Sequence, residues 1–309
     1  MDKSIPVVII MGPTATGKSR LAVEVALTLD AEIVSADSMQ VYTGLDIATA
    51  KISKEEMCGI KHHMIDIVSP DEIFTTSDYV KAARSILEDI HRRKKFPLVT
   101  GGTGLYISSL LEKTDYDSHP YNLELRKEIE KEYDIDGGTK LMEELTKSDS
   151  EYALRLHQND KKRVVRAIEM KRHSSLIPSQ INLSIKEDST YDFFPVVIEV
   201  TDRQKLYSLI DNRIDRMVEQ GLVAEAEYVF RNKDRFITAA QAIGYKELFD
   251  YFEGKKDLPD CIDSLKHSSR RYAKRQITYF HRIKDAYILK QDEVDAKLLV
   301  KAIQKRYNF

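Results

Sequence analysis

The first 110 residues alternate short apolar runs with segments of helical period. Apolar runs stand at 7–11, 31–35, 61–68 and 96–100, and their length and composition predict strands. Apolar residues recur at helical spacing after residue 18 and again over 77–90. Strands that alternate with helices predict an α/β domain built on a parallel sheet.

The pattern changes after residue 114. Residues 115–121 are polar, and the period is then helical, with helices predicted at 122–133, 139–147, 150–156 and 160–173. A polar segment at 174–191 is followed by an apolar run at 194–200. An all-helical block between two strand regions predicts an insertion. We therefore expect a core of residues 1–114 and 192–309 and a helical insertion domain of residues 115–191.

The last third of the chain is mostly helical. Asp202 precedes a helix predicted to reach about Met217, and residues 239–247 enter another. Residues 266–284 contain seven Lys or Arg and no acidic residue, with aromatic residues interleaved. Such a run is a candidate surface for contact with a phosphate backbone. A closing strand is predicted at 286–289 and a closing helix at 294–306.

A glycine-rich loop lies between the first strand and the first helix. Residues 12–19 read G-P-T-A-T-G-K-S, which matches G-x-x-x-x-G-K-[ST] in the strand-to-helix context that the motif requires. The N–H groups of a helix start lack partners and carry partial positive charge, so they can cradle a phosphate. Lys18 adds a cation, and Ser19 offers a hydroxyl to Mg²⁺. The fold class is therefore predicted as a P-loop NTPase-like parallel sheet flanked by helices.

Composition bounds the remaining possibilities. The 309 residues carry a net charge of −2, so any nucleic-acid surface must be a local patch. The two cysteines, Cys58 and Cys261, lack metal-ligand spacing and indicate a reducing compartment. The N-terminus leads straight into a strand and no apolar run approaches the ~20 residues of a membrane span. A cytoplasmic enzyme is the expectation.

Several single residues have two interpretations. Asp37 follows the second strand, where α/β proteins build sites, but Asp is also a favoured helix N-cap. The loop Gly101–Gly104 is either a second phosphate contact or an ordinary turn. Arg213 lies on the apolar side of its helix and needs an anion, either a buried carboxylate or a phosphate. The cations of 161–172 form either a solvated face or an RNA contact. His62 and His63 point to different sides, which argues against a metal site.

Taken together, these stretches resemble the tRNA dimethylallyltransferase family. The resemblance runs from about Val7 to about Arg282. Its matching segments are 12–19, S-A-D-S-M-Q-V-Y at 35–42, G-L-D-I-A-T-A-K at 44–51, H-H-M-I-D at 62–66, G-G-T-G-L-Y at 101–106, R-L-H-x-N-D at 155–160, R-I-D-x-M at 213–217, A-I-G-Y-K-E at 242–247 and K-R-Q-I-T-Y-F at 274–280. The segments at 35–42, 101–106 and 274–280 are the more specific ones.

The resemblance implies transfer of a dimethylallyl group from dimethylallyl diphosphate to the exocyclic amine of the adenosine on the 3′ side of a tRNA anticodon. Asp37 would be the general base and Thr103 would contact the diphosphate. Lys18, Arg213 and Ser19 with Mg²⁺ would offset charge on the leaving group. The implied diphosphate-binding residues are Gly12, Pro13, Thr14, Ala15, Thr16, Gly17, Lys18 and Ser19. The implied tRNA-binding residues are Asp37, Ser38, Met39, Gln40, Thr103, Arg126, Lys161, Lys162, Arg163, Val164, Val165, Gln241, Gly244, Tyr245, Lys246, Lys274, Arg275 and Gln276.

The chain departs from the family pattern in two places. Gln158 stands where the family usually has Pro, and Ser174-Ser175-Leu176 replaces a turn that commonly contains Gly. Both departures lie in the insertion and bear on tRNA binding, not on the chemistry. The missing C-terminal Cys/His cluster of eukaryotic relatives indicates a bacterial-type enzyme, and we expect a monomer.

Three other functions fit part of the sequence. A small-molecule or nucleotide kinase would use the same P-loop with ATP. An adenylate isopentenyltransferase would act on free nucleotide and would not need the insertion. A P-loop RNA-binding switch without catalysis would not need Asp37 or Thr103.

Overall fold

The computed structural model describes residues 4–112, 122–174 and 190–308. Within them the elements are, in chain order, β1 Ile5–Met11, α1 Lys18–Leu29, β2 Ala31–Ala36, β3 His62–His63, α2 Thr76–Arg92, β4 Phe96–Gly101, α3 Gly104–Leu111, α4 Leu123–Asp136, α5 Thr139–Ser148, α6 Ser150–Ala153, α7 Lys161–Ser174, β5 Tyr191–Glu199, α8 Arg203–Glu219, α9 Leu222–Arg231, α10 Phe249–Phe252, α11 Leu258–Phe280, β6 Tyr287–Lys290 and α12 Ala296–Tyr307. The predicted polar segments at 115–121 and 174–191 lie almost wholly outside the described residues.

Contacts along the chain divide it into two compact units. The first comprises Met1–Leu111 and Asp188–Phe309, and the second, Glu112–Glu187, lies between them in sequence. The first unit holds the sheet, and the described part of the second is helical. No helix of the described residues is long and apolar enough to cross a membrane.

The sheet of the first unit has the strand order β3-β2-β4-β1-β5-β6, and every pairing is parallel. Residues Val7–Met11 of β1 are fully buried, because β1 has neighbours on both sides and helices cover both faces of such a sheet. The predicted fold class, a parallel sheet flanked by helices, is confirmed. All carboxyl ends of the strands therefore lie at one edge of the sheet.

Two predicted elements differ from the structure. The strand expected over 61–68 is only two residues long, because Met64 and Asp66 adopt positive φ angles of 63° and 54° that end it. The helix expected over 239–247 is two short 3₁₀ turns, Ala239–Gln241 and Lys246–Leu248. These changes leave loops beside the carboxyl edge of the sheet, where helices or strands were expected.

The helical unit has its own core. Ile129, Leu145, Val164 and Ile168 from three helices are fully buried against one another. The side-chain amide of Gln158 donates to the Gly137 carbonyl at 3.1 Å and to the Thr139 hydroxyl at 2.9 Å. Gln158 thus joins the turn before α7 to the turn between α4 and α5.

A partly buried ion-pair network lies at the end of the sheet opposite the carboxyl edge. Glu32, near the start of β2, pairs with both terminal nitrogens of Arg93 and with His63 Nε2 at 2.7 Å. These hydrogen bonds, chiefly those from Arg93, hold the pKa of the Glu32 carboxyl at about 2. The ionised carboxylate is therefore favoured in the folded protein over the unfolded chain.

Replacement of Glu32 tests this network. The wild-type protein should lose free energy of unfolding as the pH falls from the ordinary glutamate pKa of 4.5 towards 2, because the unfolded chain takes up the proton first. Glu32→Gln should be less stable at pH 7, by on the order of 1 kcal/mol, because water screens the half-exposed Arg93 guanidinium. Urea denaturation at a series of pH values measures both. The two stability curves should converge at low pH.

The matched control is Glu24→Gln, which removes an exposed pair with Arg20. It should change stability by less than about 0.5 kcal/mol. Parallel curves for wild type and Glu32→Gln down to pH 2 would contradict the role given to this network.

Candidate active site

Three loops meet at the carboxyl edge of the sheet. They follow β1, β2 and β4, which are neighbours, and they comprise residues 12–17, 37–42 and 101–103. Because parallel strands end at the same edge, these loops come together in space. With segments from α8 and α11 they line a cavity of about 360 Å³.

In the first loop, the carbonyl of Pro13 accepts hydrogen bonds from two side chains. The Thr16 hydroxyl donates to that carbonyl at 2.8 Å, and Lys18 Nζ donates to it at 2.5 Å. Gly17 caps α1 in the left-handed region at φ 83°, a conformation that favours glycine. Lys18 and Ser19, at the start of α1, line the cavity, and the phosphate-binding role of this loop stays a prediction.

Two cationic side chains donate hydrogen bonds to this loop. Arg213 of α8 donates from Nη1 to the Thr14 hydroxyl at 3.0 Å, and both Arg213 and Lys18 line the cavity. Burial and the neighbouring Arg213 lower the pKa of Lys18 to about 7, while Asp37 opposes the shift. Burial also lowers the pKa of Arg213.

Arg213 has no carboxylate within salt-bridge distance among residues 4–112, 122–174 and 190–308. Of the two anions considered for Arg213, a buried carboxylate paired directly with it is therefore absent from the described residues. The cavity brings together cationic side chains suited to a phosphate.

Asp37 sits in the turn after β2. Its Oδ1 accepts the backbone N–H of Met39 at 2.9 Å and, at 3.4 Å, that of Gln40. Asp37 therefore caps backbone N–H groups, as the N-cap interpretation expects. These groups belong to a turn and not to a helix. Oδ2 has no hydrogen-bond partner in the described part of the chain, and Asp37 lines the cavity.

Thr103 supports the same turn from the loop after β4. Its Oγ1 accepts the N–H of Ser38 at 2.9 Å and lies 3.3 Å from the Ser38 hydroxyl. Its own N–H donates to the Ala36 carbonyl at 3.1 Å. Thr103 therefore fixes the segment that carries Asp37.

Gln276 of α11 joins two of the three loops. The residue is only 5% exposed. Oε1 accepts the N–H of Thr14 at 2.9 Å, and Nε2 donates to the Gly102 carbonyl at 2.8 Å. The sequence predicted an RNA contact here. The structure gives Gln276 a bridging role inside the protein, with one part of its surface lining the cavity.

Gln40 is also held by the protein. Its Nε2 donates to the carbonyls of Thr49 and Ala50 at 3.2 and 3.3 Å, and its Oε1 accepts the Ser35 hydroxyl at 3.1 Å. The side-chain amide thus has a fixed orientation at the cavity surface.

The cavity collects many of the residues that the sequence singled out. Those that line it are Thr14, Lys18, Ser19, Asp37, Ser38, Met39, Gln40, Arg213, Gln241, Gly244, Lys246, Arg275 and Gln276. The remaining P-loop residues do not line the cavity but belong to the loop beside it. They are Gly12, Pro13, Ala15, Thr16 and Gly17. Sequence reasoning missed Ser35 and Tyr272, which also line the cavity. The interleaving of aromatic and basic residues in α11 was the available signal for Tyr272.

Three predicted RNA contacts are buried side chains. Val164 and Val165 are 0% exposed in the core of the helical unit, and Tyr245 is 0% exposed in the first unit. Tyr245 donates its hydroxyl to Glu225 Oε1 at 2.8 Å. Val164 and Val165 follow the apolar period of α7, which explains their burial, and the structure gives all three residues a packing role.

The basic residues predicted to bind RNA are partly neutralised. In α11, Lys266 pairs with Asp215 at 2.6 Å and Arg270 with Asp211 at 2.9 Å, whereas Arg271, Lys274 and Arg275 are exposed. In the helical unit, Arg126, Lys161 and Arg163 lie 3.8, 2.6 and 3.3 Å from the carboxylates of Glu169, Asp134 and Asp160, and Lys162 is exposed.

Each of the two adjacent histidines has a hydrogen-bond partner within the protein. His63 pairs with Glu32, and His62, which lines the cavity, has its Nδ1 2.9 Å from the Ile60 carbonyl. Burial lowers the pKa of His62. The part of the chain that the structure describes contains no cluster of three His, Cys, Asp or Glu residues suited to a metal ion.

Sequence relatives match nearly the whole chain. A tRNA dimethylallyltransferase of Caldanaerobacter subterraneus is 42% identical over 280 residues, which is 90% of this chain and 89% of the relative. That of Bacillus subtilis is 42% identical over 276 residues, which is 89% and 86% of the two chains.

Solved structures share the fold. A tRNA delta(2)-isopentenylpyrophosphate transferase from Staphylococcus epidermidis superimposes with a TM-score of 0.71 at 37% identity and covers 99% of both chains. A eukaryotic dimethylallyltransferase described as acting on tRNA gives 0.82 at 28% identity, over 99% of this chain and 80% of that one. The model of the IPP transferase family matches residues 40–283. With this match and these relatives, the chain belongs to the IPP transferase family.

Proposed function

We propose that this protein is a tRNA dimethylallyltransferase. It transfers the dimethylallyl group of dimethylallyl diphosphate to the exocyclic amine of the adenosine next to the anticodon on its 3′ side. The products are isopentenyladenosine in tRNA and free diphosphate. One observation carries the proposal: a single cavity contains two cations, Lys18 and Arg213, together with the carboxylate of Asp37. The named relatives that match about nine-tenths of the chain support it.

The two cations suit the leaving group. As the allylic carbon–oxygen bond breaks, its electron pair stays on the diphosphate, whose negative charge grows. Lys18, Arg213 and the N–H groups at the start of α1 stabilise charge that increases in the transition state, which is where such donors lower the barrier most. Thr103 is proposed to contact the diphosphate as well.

Asp37 suits the acceptor. The amine nitrogen forms the new carbon–nitrogen bond and must lose one proton. Oδ1 of Asp37 is engaged by backbone N–H groups, which leaves Oδ2 to take that proton. A carboxylate within hydrogen-bond reach provides the base that a weakly nucleophilic adenine amine needs.

Mg²⁺ is the proposed cofactor, and two hydroxyls of the cavity are neutral oxygens suited to it. Ser19 carries the exposed hydroxyl that follows Lys18. The hydroxyl of Thr100, which lines the same cavity, is buried and has no hydrogen-bond partner in the described part of the chain. Mg²⁺ commonly keeps several waters and binds through substrate phosphates with few protein ligands. Ser19 would hold it there, and the ion would neutralise diphosphate charge.

The tRNA is proposed to supply its base from an unpaired loop. An amine on a stacked base cannot reach a cavity at a sheet edge, so the base must leave its stack. Anticodon loops have unpaired bases, which lowers that cost. Exposed Arg271, Lys274 and Arg275 on α11 provide phosphate contacts beside the cavity, and Arg275 also lines it. The exposed cations of the helical unit are proposed to contact the anticodon stem-loop.

We further propose that the protein acts as a monomer in the cytoplasm. Its two cysteines are free, Cys58 exposed and Cys261 buried, which suits a reducing compartment.

The direct test is incubation with dimethylallyl diphosphate, Mg²⁺ and unmodified tRNA, followed by mass analysis of the nucleosides. Wild-type protein should form isopentenyladenosine. Asp37→Asn keeps an acceptor for the turn but removes the base, so its rate should fall on the order of 10²- to 10⁴-fold. Asp295→Asn, which alters the cap of α12 in the same way, should retain full activity.

Two substitutes for the substrates separate the rival functions. Transfer to adenosine monophosphate alone would indicate a free-nucleotide prenyltransferase. Turnover of ATP in place of the prenyl donor would indicate a kinase. Near-full activity of Asp37→Asn at saturating tRNA would overturn the assignment of the base.

The lowered pKa of Lys18 predicts that use of the prenyl donor depends on pH. Its pKa of about 7 means that the ammonium loses its proton as the pH rises through 7. For the wild-type enzyme, kcat/KM for dimethylallyl diphosphate should therefore decline above about pH 7, by up to about tenfold per pH unit. Lys18→Arg stays charged and should lack this decline. Steady-state rates from pH 6 to 9 measure it.

Alanine at Lys18 or Arg213 provides the control for binding. Either substitution should reduce kcat/KM for the prenyl donor on the order of 10²-fold or more and leave tRNA affinity within about twofold. Equal losses of tRNA affinity and donor use would argue against a leaving-group role.

The exposed cations of α11 predict the salt dependence of tRNA binding. The triple variant of Arg271, Lys274 and Arg275 to Ala should flatten the slope of log K against log salt concentration by about 2, since each phosphate contact contributes about 0.7 to 0.9. Filter binding at several salt concentrations measures the slope. The control triple variant, Lys297, Lys301 and Lys305 to Ala, removes three exposed lysines of α12. An unchanged slope in the α11 variant would show that these three residues do not form the RNA-binding surface.

A further inference from the structure

One carboxylate binds three consecutive backbone amides beside the cavity. Glu225, in the first turn of α9, accepts the N–H of Asp46 at 2.7 Å, of Ile47 at 2.9 Å and of Ala48 at 2.9 Å. These amides belong to residues 44–50, which we call the 44–50 loop. Successive N–H groups that point at one anion form a nest, and here a side chain of the protein itself fills it.

The same carboxylate binds a second segment of the cavity wall. The Tyr245 hydroxyl donates to Glu225 Oε1 at 2.8 Å. Next to it, Gly244 packs closely on Ala48: a Cβ on Gly244 would lie 2.6 Å from the Ala48 Cβ, and its φ of +113° also favours glycine. Glu225 therefore ties the 44–50 loop to residues 244–245.

Backbone and hydroxyl donors alone satisfy this carboxylate. No Lys, Arg or His pairs with Glu225 in the described residues, and the four donors are one hydroxyl and three amides. Hydrogen bonds to an ionised acceptor are about twice as strong as neutral ones. Removal of the charge would weaken all four contacts together.

The 44–50 loop in turn orients Gln40. The carbonyls of Thr49 and Ala50 accept the two side-chain hydrogen bonds of Gln40 Nε2. The backbone N–H of Gln40 lies 3.4 Å from Asp37 Oδ1, and Gln40, Ala48, Thr49 and Gly244 all line the cavity. A chain of contacts thus runs from Glu225 to the surface next to Asp37.

We propose that Glu225 is a positioning residue for the adenine-bearing substrate. It holds the 44–50 loop, and through this loop the amide of Gln40, in the orientation that receives the base beside Asp37. The contacts of Lys18 and Arg213 with the P-loop do not pass through Glu225, so use of the prenyl donor is largely independent of it. This inference rests on the proposed tRNA dimethylallyltransferase function.

We call the contacts of Glu225 with the 44–50 loop the clamp. Amide hydrogen exchange tests the clamp without any activity measurement. Glu225→Gln replaces one acceptor oxygen by an NH₂ group that faces the amides. Exchange at residues 46–48 should accelerate about tenfold or more, as expected from the loss of one or more charge-assisted hydrogen bonds. Tyr245→Phe removes only the hydroxyl contact and should accelerate exchange at these amides less.

Glu227→Gln is the matched control. Glu227 lies on the same helix two residues away and pairs with Arg231 at 2.5 Å on the surface. Its substitution should leave exchange at residues 46–48 unchanged. Equal exchange in Glu225→Gln and wild type would overturn the clamp.

Steady-state kinetics test the positioning role. In Glu225→Gln the KM for tRNA should rise about tenfold, while the KM for dimethylallyl diphosphate stays within about twofold. A general loss of structure would affect both substrates alike, and that result, or no change in either, would overturn the role. Absence of prenylated tRNA from the wild-type protein would instead overturn the proposed function, and exchange would still decide whether the clamp exists.

Discussion

The burial of two cations, Lys18 and Arg213, in one cavity is the constraint on which the site depends. Burial lowers the pKa of both cations, and for Lys18 the neighbouring Arg213 adds to the shift, so the fold keeps these charges in the cavity at a cost in free energy. Thr14 and Pro13 accept their hydrogen bonds, and Asp37 attracts both from a longer range. Such an arrangement stabilises a polyanion that enters between the cations more strongly than one that binds at the protein surface, because water screens the charges less.

The scaffold places these groups through ties between distant segments. Gln276 connects the loop after β1 with the loop after β4, and Thr103 connects the loop after β4 with the turn that carries Asp37. The relative positions of the cations and the carboxylate are therefore fixed by α11 and the sheet together. A substitution in α11 that disturbs Gln276 would alter the positions of the loops after β1 and β4.

Local patterns predicted the sheet, the P-loop helix, the helical block and the loops at the carboxyl edge, because each depends on neighbouring residues. The roles of Gln276 and Glu225 were not predictable, since their partners lie far away in sequence. Burial explains why three residues predicted to contact RNA have packing roles instead. Val164 and Val165 follow the apolar period of α7. Tyr245 is buried next to Gly244, a glycine with positive φ. The basic run of α11 was visible in sequence, but its pairing with acids of α8 required the packing of the two helices.

The lowered pKa of Lys18 has a consequence for the energetics of ligand binding. Near neutral pH a substantial fraction of the protein carries an uncharged Lys18 amine. An anionic ligand favours the ammonium form, so its binding draws a proton from the solvent. By linkage, the affinity depends on proton activity, and the heat measured on binding includes the ionisation enthalpy of the buffer. Uptake of a proton at Lys18 would thus accompany the binding of an anion beside it.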